Sequence, residues 1–337
     1  MLDTRNATAV ALAEAANAAG FAPSIHNTQP WRWRVLPDRL QLFADRDRQL
    51  TATDPGGQLM MLSCGTALHH ARLAFEAKGR TVDVRYLPDP AQPDLLAEIT
   101  PTGSIEVSPE AMRLVQMMRT RHTDRRPLAD EAIPESARAA MTRAAAGLAR
   151  LHILTTEQVI DLAEAASRAQ AVEADDPRIR AELAYWTSRN APAGTGLPAD
   201  VLPARAPQTT IPARDFGQPG TLPIGAGHDK AAVYCILYGD DDEPGSWLRA
   251  GEALSAVWLT ATAAGVCVVP LSATIEVATT RATLRRLLAG LGYPYLVVRC
   301  GIADGAHAGP AHTPRIPAAQ TVDVSAVRAP DTTRGSR

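Results

Sequence analysis

Lysine is almost missing from this chain of 337 residues: among 34 basic residues only Lys78 and Lys230 are lysines. Any phosphate bound here therefore falls to arginine forks. Cysteine is scarce as well. Cys64, Cys235, Cys267 and Cys300 lie far apart and form no C-x-x-C, which excludes a disulfide framework or a zinc site and leaves buried free thiols as the expectation. No basic-then-apolar leader opens the sequence. No apolar run approaches the ~20 residues of a membrane span. A cytoplasmic protein with no membrane partner is expected. The formal net charge is only −2, and neither half carries a large excess of one sign, which argues against nucleic acid as a partner. No metal site is expected. Walker, H-E-x-x-H and nucleophile-elbow motifs are all lacking. The glycines at Gly194/Gly196 and Gly225/Gly227 sit in irregular context, not strand–turn–helix, so no dinucleotide-binding Rossmann unit is expected.

What the sequence does contain is 46% hydrophobic and 21% charged residues, enough for a substantial core in one large or two ordinary domains. Periodicity predicts a helix over Ala7–Ala19, closed by Gly20, and strands over Trp31–Leu36 and Arg39–Ala44 around Pro37-Asp38. A long helix follows over Gln58–Lys78, closed by Gly79, and then a strand over Thr81–Leu87. Pro88–Pro109 reads as a loop-rich connection. Helices are expected at Pro109–Met118, Pro134–Ala146, Glu157–Ala171 and Trp247–Ala264. Strands are expected at Ala149–Leu154, Ala231–Gly239, Val266–Pro270 and Tyr295–Ile302, ahead of a Pro/Gly-rich tail. Between Arg189 and Gly227 proline and glycine recur without helical or strand periodicity, and a structureless stretch of that length reads as a lid or a linker.

One pattern occurs twice. "CGTALHHARLAFEAKGRTVDV" resembles "AGEALSAVWLTATAAGVCVVP": Gly65 and Gly251 each precede x-Ala-Leu, and Gly79 and Gly265 follow at the same distance. Each second glycine leads into an apolar strand. Two generic amphipathic helices with glycine stops could share part of this. Agreement of spacing, Ala-Leu and following strand favours a duplicated unit.

Two stretches carry unusual chemistry. "APSIHNTQPWRW" (Ala22–Trp33) crowds diverse donors and two tryptophans into one loop. "RTRHTDRRPL" (Arg119–Leu128) sets four arginines around the hydroxyl of Thr123, the combination a phosphate monoester needs, although a solvated charged loop would look similar. His69-His70 reads as packing, since adjacent helical positions point apart. His307 and His312 flank a loop near Arg315.

Taken together, "APSIHNTQPW", the R-x-T-x-R segment and the duplication resemble the FMN-dependent nitroreductase superfamily, and most of all its Acg-type branch of two fused halves. The resemblance spans nearly the whole chain apart from the 189–227 insertion. It implies an α+β fold with central, mostly antiparallel sheets covered by helices. Residues 1–108 form a first half and residues 109–337 a second, together a pseudo-dimer. It implies FMN as cofactor and NAD(P)H as electron donor. Arg121, His122, Thr123 and Arg125 match the segment that grips the FMN phosphate and ribityl chain, and Arg315 matches a basic residue closing the phosphate site. Pro23, Ser24, His26 and Asn27 match a loop lying against the flavin from the other half. Pro270, Leu271, Ser272 and Ala273 match the turn near flavin N5, where Ser272-Ala273 replaces the family's acidic residue and glycine.

No dedicated catalytic side chain is required, because the flavin carries the chemistry. The implied function is NAD(P)H-dependent reduction of a nitro, quinone-like or other conjugated small-molecule acceptor. FMN storage under a closed lid and a specialised biosynthetic flavoenzyme are the alternatives. The loop motif has no counterpart between Ala146 and His152, and "DTRNAT" keeps only Arg5 of the arginine motif. This complementary loss implies one working flavin site and one dead site, in a monomer or a homodimer.

Overall fold

A computed structural model describes residues 4–188, 194–225, 228–305 and 309–327. The first half comprises α1 (Thr4–Ala19), β1 (Trp31–Val35), β2 (Leu40–Ala44), α2 (Gln58–Glu76), β3 (Arg80–Tyr86) and β4 (Leu95–Ser104). After the linking helix α3 (Pro109–Thr120) come α4 (Glu135–Ala145), β5 (Arg150–Ile153), α5 (Thr156–Asp175), α6 (Pro177–Thr187), β6 (Val233–Gly239), α7 (Pro244–Ala263) and β7 (Val266–Leu271). The short α8 (Ala273–Glu276), α9 (Ala278–Leu287), β8 (Tyr293–Ile302), α10 (Ala318–Thr321) and β9 (Val322–Asp323) complete the order.

β1 and β2 follow the alternation of their sequences. In β1, Trp31, Trp33 and Val35 are buried while Arg32 and Arg34 face out, as a strand with one covered face requires. α5 starts at a capping box in which Thr155 and Gln158 satisfy each other's backbone N–H groups, a favourable helix start.

Both sheets repeat one topology. The first runs β3-β4-β2-β1 and the second β7-β8-β6-β5, so the four strands of each half take the same spatial order, with α5 and α6, and then α8 and α9, inserted between strands of the second half. Every pairing is antiparallel except the parallel addition of β9 beside β1, where Trp33 faces Val322. The class is α+β with two related halves, each sheet packed in its own core. Because β9 lies in the first sheet, the end of the second half crosses back onto the first.

α2 and α7 are the equivalent helices, and they cross at Gly65 and Gly251. A Cβ on Gly65 would lie 2.0 Å from the Leu248 carbonyl oxygen, and one on Gly251 would lie 2.0 Å from that of Leu62. Only glycine permits so close an approach of two helix backbones. Gly79 and Gly265, at φ +66° and +74°, then turn each chain out of its helix in the left-handed conformation that favours glycine.

Two expectations are corrected. Pro88–Pro109 is not a loop throughout, since β4 occupies ten residues of it as a central strand between β3 and β2. Its proline is accommodated at a register irregularity, where Pro101 faces Val82, the kind of place in a sheet that tolerates a missing N–H. The tail after β8 is also not wholly irregular, because it supplies α10 and β9.

Candidate functional site

The opening loop is built around strain. His26, Asn27 and Gln29 all have positive φ (45°, 57° and 49°), unusual for non-glycine residues and costly unless their surroundings hold them. Those surroundings are specific. The Ile25 N–H donates to Ser63 Oγ at 3.1 Å, and Thr66 Oγ1 donates to the Pro23 carbonyl, fixing the loop to α2. Ser24 Oγ accepts from the Gln29 N–H at 2.9 Å. Asn27 Nδ2 donates to the carbonyls of Gly196 and Pro314, and Gln29 Nε2 to that of Gly194 at 2.7 Å. The loop thus joins α2, the 194–225 segment and the tail at one point.

Facing it is a cavity of about 620 Å³ between the halves, floored by Leu62, Ser63 and Thr66 of α2 and by Leu254 and Trp258 of α7. All four loop residues read from the sequence (Pro23, Ser24, His26, Asn27) line it, as do Arg121, His122, Thr123, Arg125, Arg315 and the turn Pro270–Ala273. Segments as far apart in the chain as Pro23 and Arg315 are brought together there. His307 lies outside the described residues, as do 189–193 and 226–227 of the insertion. His69 is tied to Ser255 Oγ at 2.8 Å and His70 is buried, and neither lines the cavity.

Its electrostatics are one-sided. The Arg121 guanidinium lies 4.5 Å over the Trp258 ring, 5% exposed, and makes no hydrogen bond or ion pair among the described residues; its Nε is buried without a partner. Arg125 sits 5.4 Å from the Phe216 ring. Arg315 Nη1 donates to Asn27 Oδ1 at 3.1 Å and to Thr313 Oγ1 at 2.6 Å. Burial, aided by the neighbouring Arg315 charge, pulls Arg121 down to about 9. Burial and Arg299 pull Arg125 down to about 10, and burial alone does so for Arg315. Three cations are thus held in a partly dehydrated pocket without a carboxylate partner among the described residues. An anion placed among them would regain what burial has cost them. Two carboxylates behind them are already engaged, Asp124 with Arg126 and Asp229 with Arg299, each at 2.7 Å, and Asp215, which also lines the cavity, is exposed.

The described part of the insertion covers this cavity, contributing wall residues from Leu197 to Pro219. It is fastened by Arg214, whose guanidinium reaches Glu276 at 2.6 Å, Glu173 at 2.9 Å and Ser272 Oγ at 3.3 Å. Phe216 from the same segment meets His26 edge-on at 5.9 Å. His26 itself is buried, with Nε2 unpartnered, and burial together with Arg214 and Arg125 holds its imidazole well below its ordinary value.

Trp258, Arg214, Phe216 and Arg299 line the cavity although the sequence reading did not single them out for it. Arg299 had a signal: it interrupts the apolar run Leu296–Cys300 of a central strand. Among the described residues no group of three or more His, Cys, Asp or Glu is placed to hold a metal, and no helix is long and apolar enough to cross a membrane.

Fold and site together define a two-half α+β protein whose halves enclose one pocket with a cationic end and apolar walls. No protein-family model matches the chain. It is similar to the Mycobacterium tuberculosis protein named "Putative NAD(P)H nitroreductase acg", with 32% identity over 339 residues, 97% of this chain and 99% of that one. A second M. tuberculosis protein, also named "Putative NAD(P)H nitroreductase", is 36% identical over 84% of this chain and 82% of its own. Among solved structures, the FMN-dependent nitroreductase NfnB of Mycobacterium smegmatis in complex with NADPH is similar at 18% identity and a TM-score of 0.36, over 68% of this chain and 100% of that one. The chain belongs to the nitroreductase family of which these M. tuberculosis proteins are members.

Proposed function

We propose that this cavity binds one FMN per chain and that the protein is an NAD(P)H-dependent oxidoreductase of small nitro, quinone-like or otherwise conjugated acceptors. The observation that carries the reading is the set of three guanidiniums, Arg121 buried and Arg125 and Arg315 half-buried, at one end of an apolar pocket with no carboxylate partner among the described residues. Lysine could not replace them in kind, since a fork satisfies two phosphate oxygens at once. His122 and Thr123 stand beside them for the ribityl chain. Pro23, Ser24, His26 and Asn27 would flank the ring system, and the Pro270–Ala273 turn would meet its redox-active edge. Bound there, FMN supplies hydride acceptance from NAD(P)H and electron delivery to the acceptor. The chain's own work is to bind, orient and exclude water.

One site per chain is supported by what the two-fold relation of the halves puts at the second position. Shifting positions by the Gly65–Gly251 correspondence turns the cavity floor Ser63, Thr66 and Trp258 into Arg249, Glu252 and Arg72. There Arg72 and the Tyr86 hydroxyl each donate to the fully buried Glu252 carboxylate at 2.6 Å. A charged plug occupies the ground a second flavin would need.

A second reading is favoured by the segment covering the cavity. Fastened by Arg214, it supports FMN storage if it excludes nicotinamide from the pocket. Anaerobic addition of NADPH or NADH to the purified yellow protein separates the two. Bleaching within seconds supports the reductase, and a flavin that resists both donors supports storage. A colourless protein that cannot be reconstituted with FMN would end both readings.

A further inference from the structure

The four residues from 123 to 126 divide sharply. Thr123 and Arg125 line the cavity; Asp124 and Arg126 do not, and are buried instead. The cause lies in a strand behind them. Arg299 of β8 donates through Nη2 to the carbonyls of Asp124 (3.1 Å) and Arg126 (2.9 Å), and through Nη1 to Asp229 Oδ2 (2.7 Å). Asp229, itself at φ +59° and 2% exposed, accepts the Leu128 N–H on its other oxygen at 2.7 Å. The Arg126 N–H donates to Asp124 Oδ1 at 3.1 Å.

Both peptide planes flanking Arg125 are therefore fixed, the one before it by Arg299 and the one after it by Asp124. We propose that the buried Asp229–Arg299 pair is a positioning device that aims Arg125 into the cavity, with Arg299 acting on the bound anion through Arg125 and not as an anion ligand itself. Both Arg299 Nη atoms are already committed, to Asp229 and to backbone carbonyls, which leaves only the buried Nε without a partner. Lysine at 299 would not serve, since one ammonium cannot span the carboxylate and two carbonyls with a fork's geometry. The inference rests on the FMN reading of the cavity.

Its test is a pair of double-mutant cycles read by FMN affinity, from quenching of flavin fluorescence. Arg299→Met is expected to weaken FMN binding about tenfold to a hundredfold in the wild-type background. In Arg125→Ala it should add less than about threefold, while in Arg121→Ala it should retain its full effect, because Arg121 follows the end of α3 outside the clamped peptides. A merely structural role would cost the same in all three backgrounds, and that result overturns the proposal. Should Arg299→Met fail to fold, Asp229→Asn, which keeps an acceptor for the Leu128 N–H, is run through the same cycles with the same expectation and the same overturning result. Wild-type protein that does not bind FMN would refute the cavity reading instead.

Discussion

Gly65 and Gly251 meet across the α2–α7 crossing so closely that a Cβ on Gly65 would lie 2.8 Å from the Gly251 Cα. The contact is reciprocal, as a two-fold relation demands, and the obstructing atoms are backbone. The same helices floor the cavity one turn away. Gly65→Ala is therefore expected to destabilise the protein by on the order of 3 kcal/mol, the upper range for overpacking, since no flexible side chain can give way. The double alanine variant should cost clearly less than the sum of the singles, because the first substitution already separates the helices. Denaturant midpoints measure both.

Arg121→Ala and Arg125→Ala should each weaken FMN binding by about 1.5–3 kcal/mol, tenfold to a hundredfold. Neither should lower the stability of the flavin-free protein, because each removes a buried or half-buried charge with no carboxylate partner among the described residues. Flavin fluorescence titration beside thermal melts without flavin checks the pair of statements. Full affinity in both variants would refute the phosphate assignment.

The Arg214 fastening carries a pH dependence. One guanidinium serves two carboxylates, and burial, with Glu276 alongside and against the pull of Arg214, pushes Glu173 up from 4.5 to about 7. Between those values the folded chain holds a proton that the unfolded chain has lost. Its contribution to stability is thus greatest below pH 4.5, declines as pH rises towards 7 and is flat above. Compared with Glu173→Gln, which has no proton to lose, the wild type should lose stability between about pH 5 and about pH 7.5. Parallel curves for the two proteins across that range would contradict the assignment.

Arg72→Met strips the Glu252 carboxylate of its ion pair and leaves only the Tyr86 hydroxyl. The expected loss is about 2–3 kcal/mol, below that of a fully buried pair because the Arg72 side chain is 36% exposed. Tyr86→Phe should cost only about 1 kcal/mol. Neither change should alter FMN affinity, since the plug lies across the two-fold from the cavity. Urea denaturation and flavin titration read the two effects separately.

Much of this was legible in the sequence where a single local rule operates. The alternation of Trp31, Trp33 and Val35 marks β1, and Gly79 and Gly265 mark the helix ends. The glycine spacing of the repeat anticipates the α2–α7 crossing. What was hidden depends on partners distant in the chain. β4 carries Pro101 and Gly103, which read as loop until β3 and β2 flank it. β9 is too short for any period and exists only because β1 offers an edge. In the site, the cavity-lining stretches 23–27, 121–125 and 270–273 were readable as motifs. Arg214 and Phe216 were not, because their roles arise only when the insertion folds back over the cavity.

The account stands most directly on the number of flavins. Protein reconstituted with excess FMN, freed of unbound cofactor and assayed for flavin by absorbance after denaturation, should contain one FMN per chain, and none once Arg121 and Arg125 are both replaced by alanine. Two FMN per chain would show that the Arg72–Glu252–Tyr86 plug closes nothing, and a content unchanged in the double variant would show that the flavin lies elsewhere.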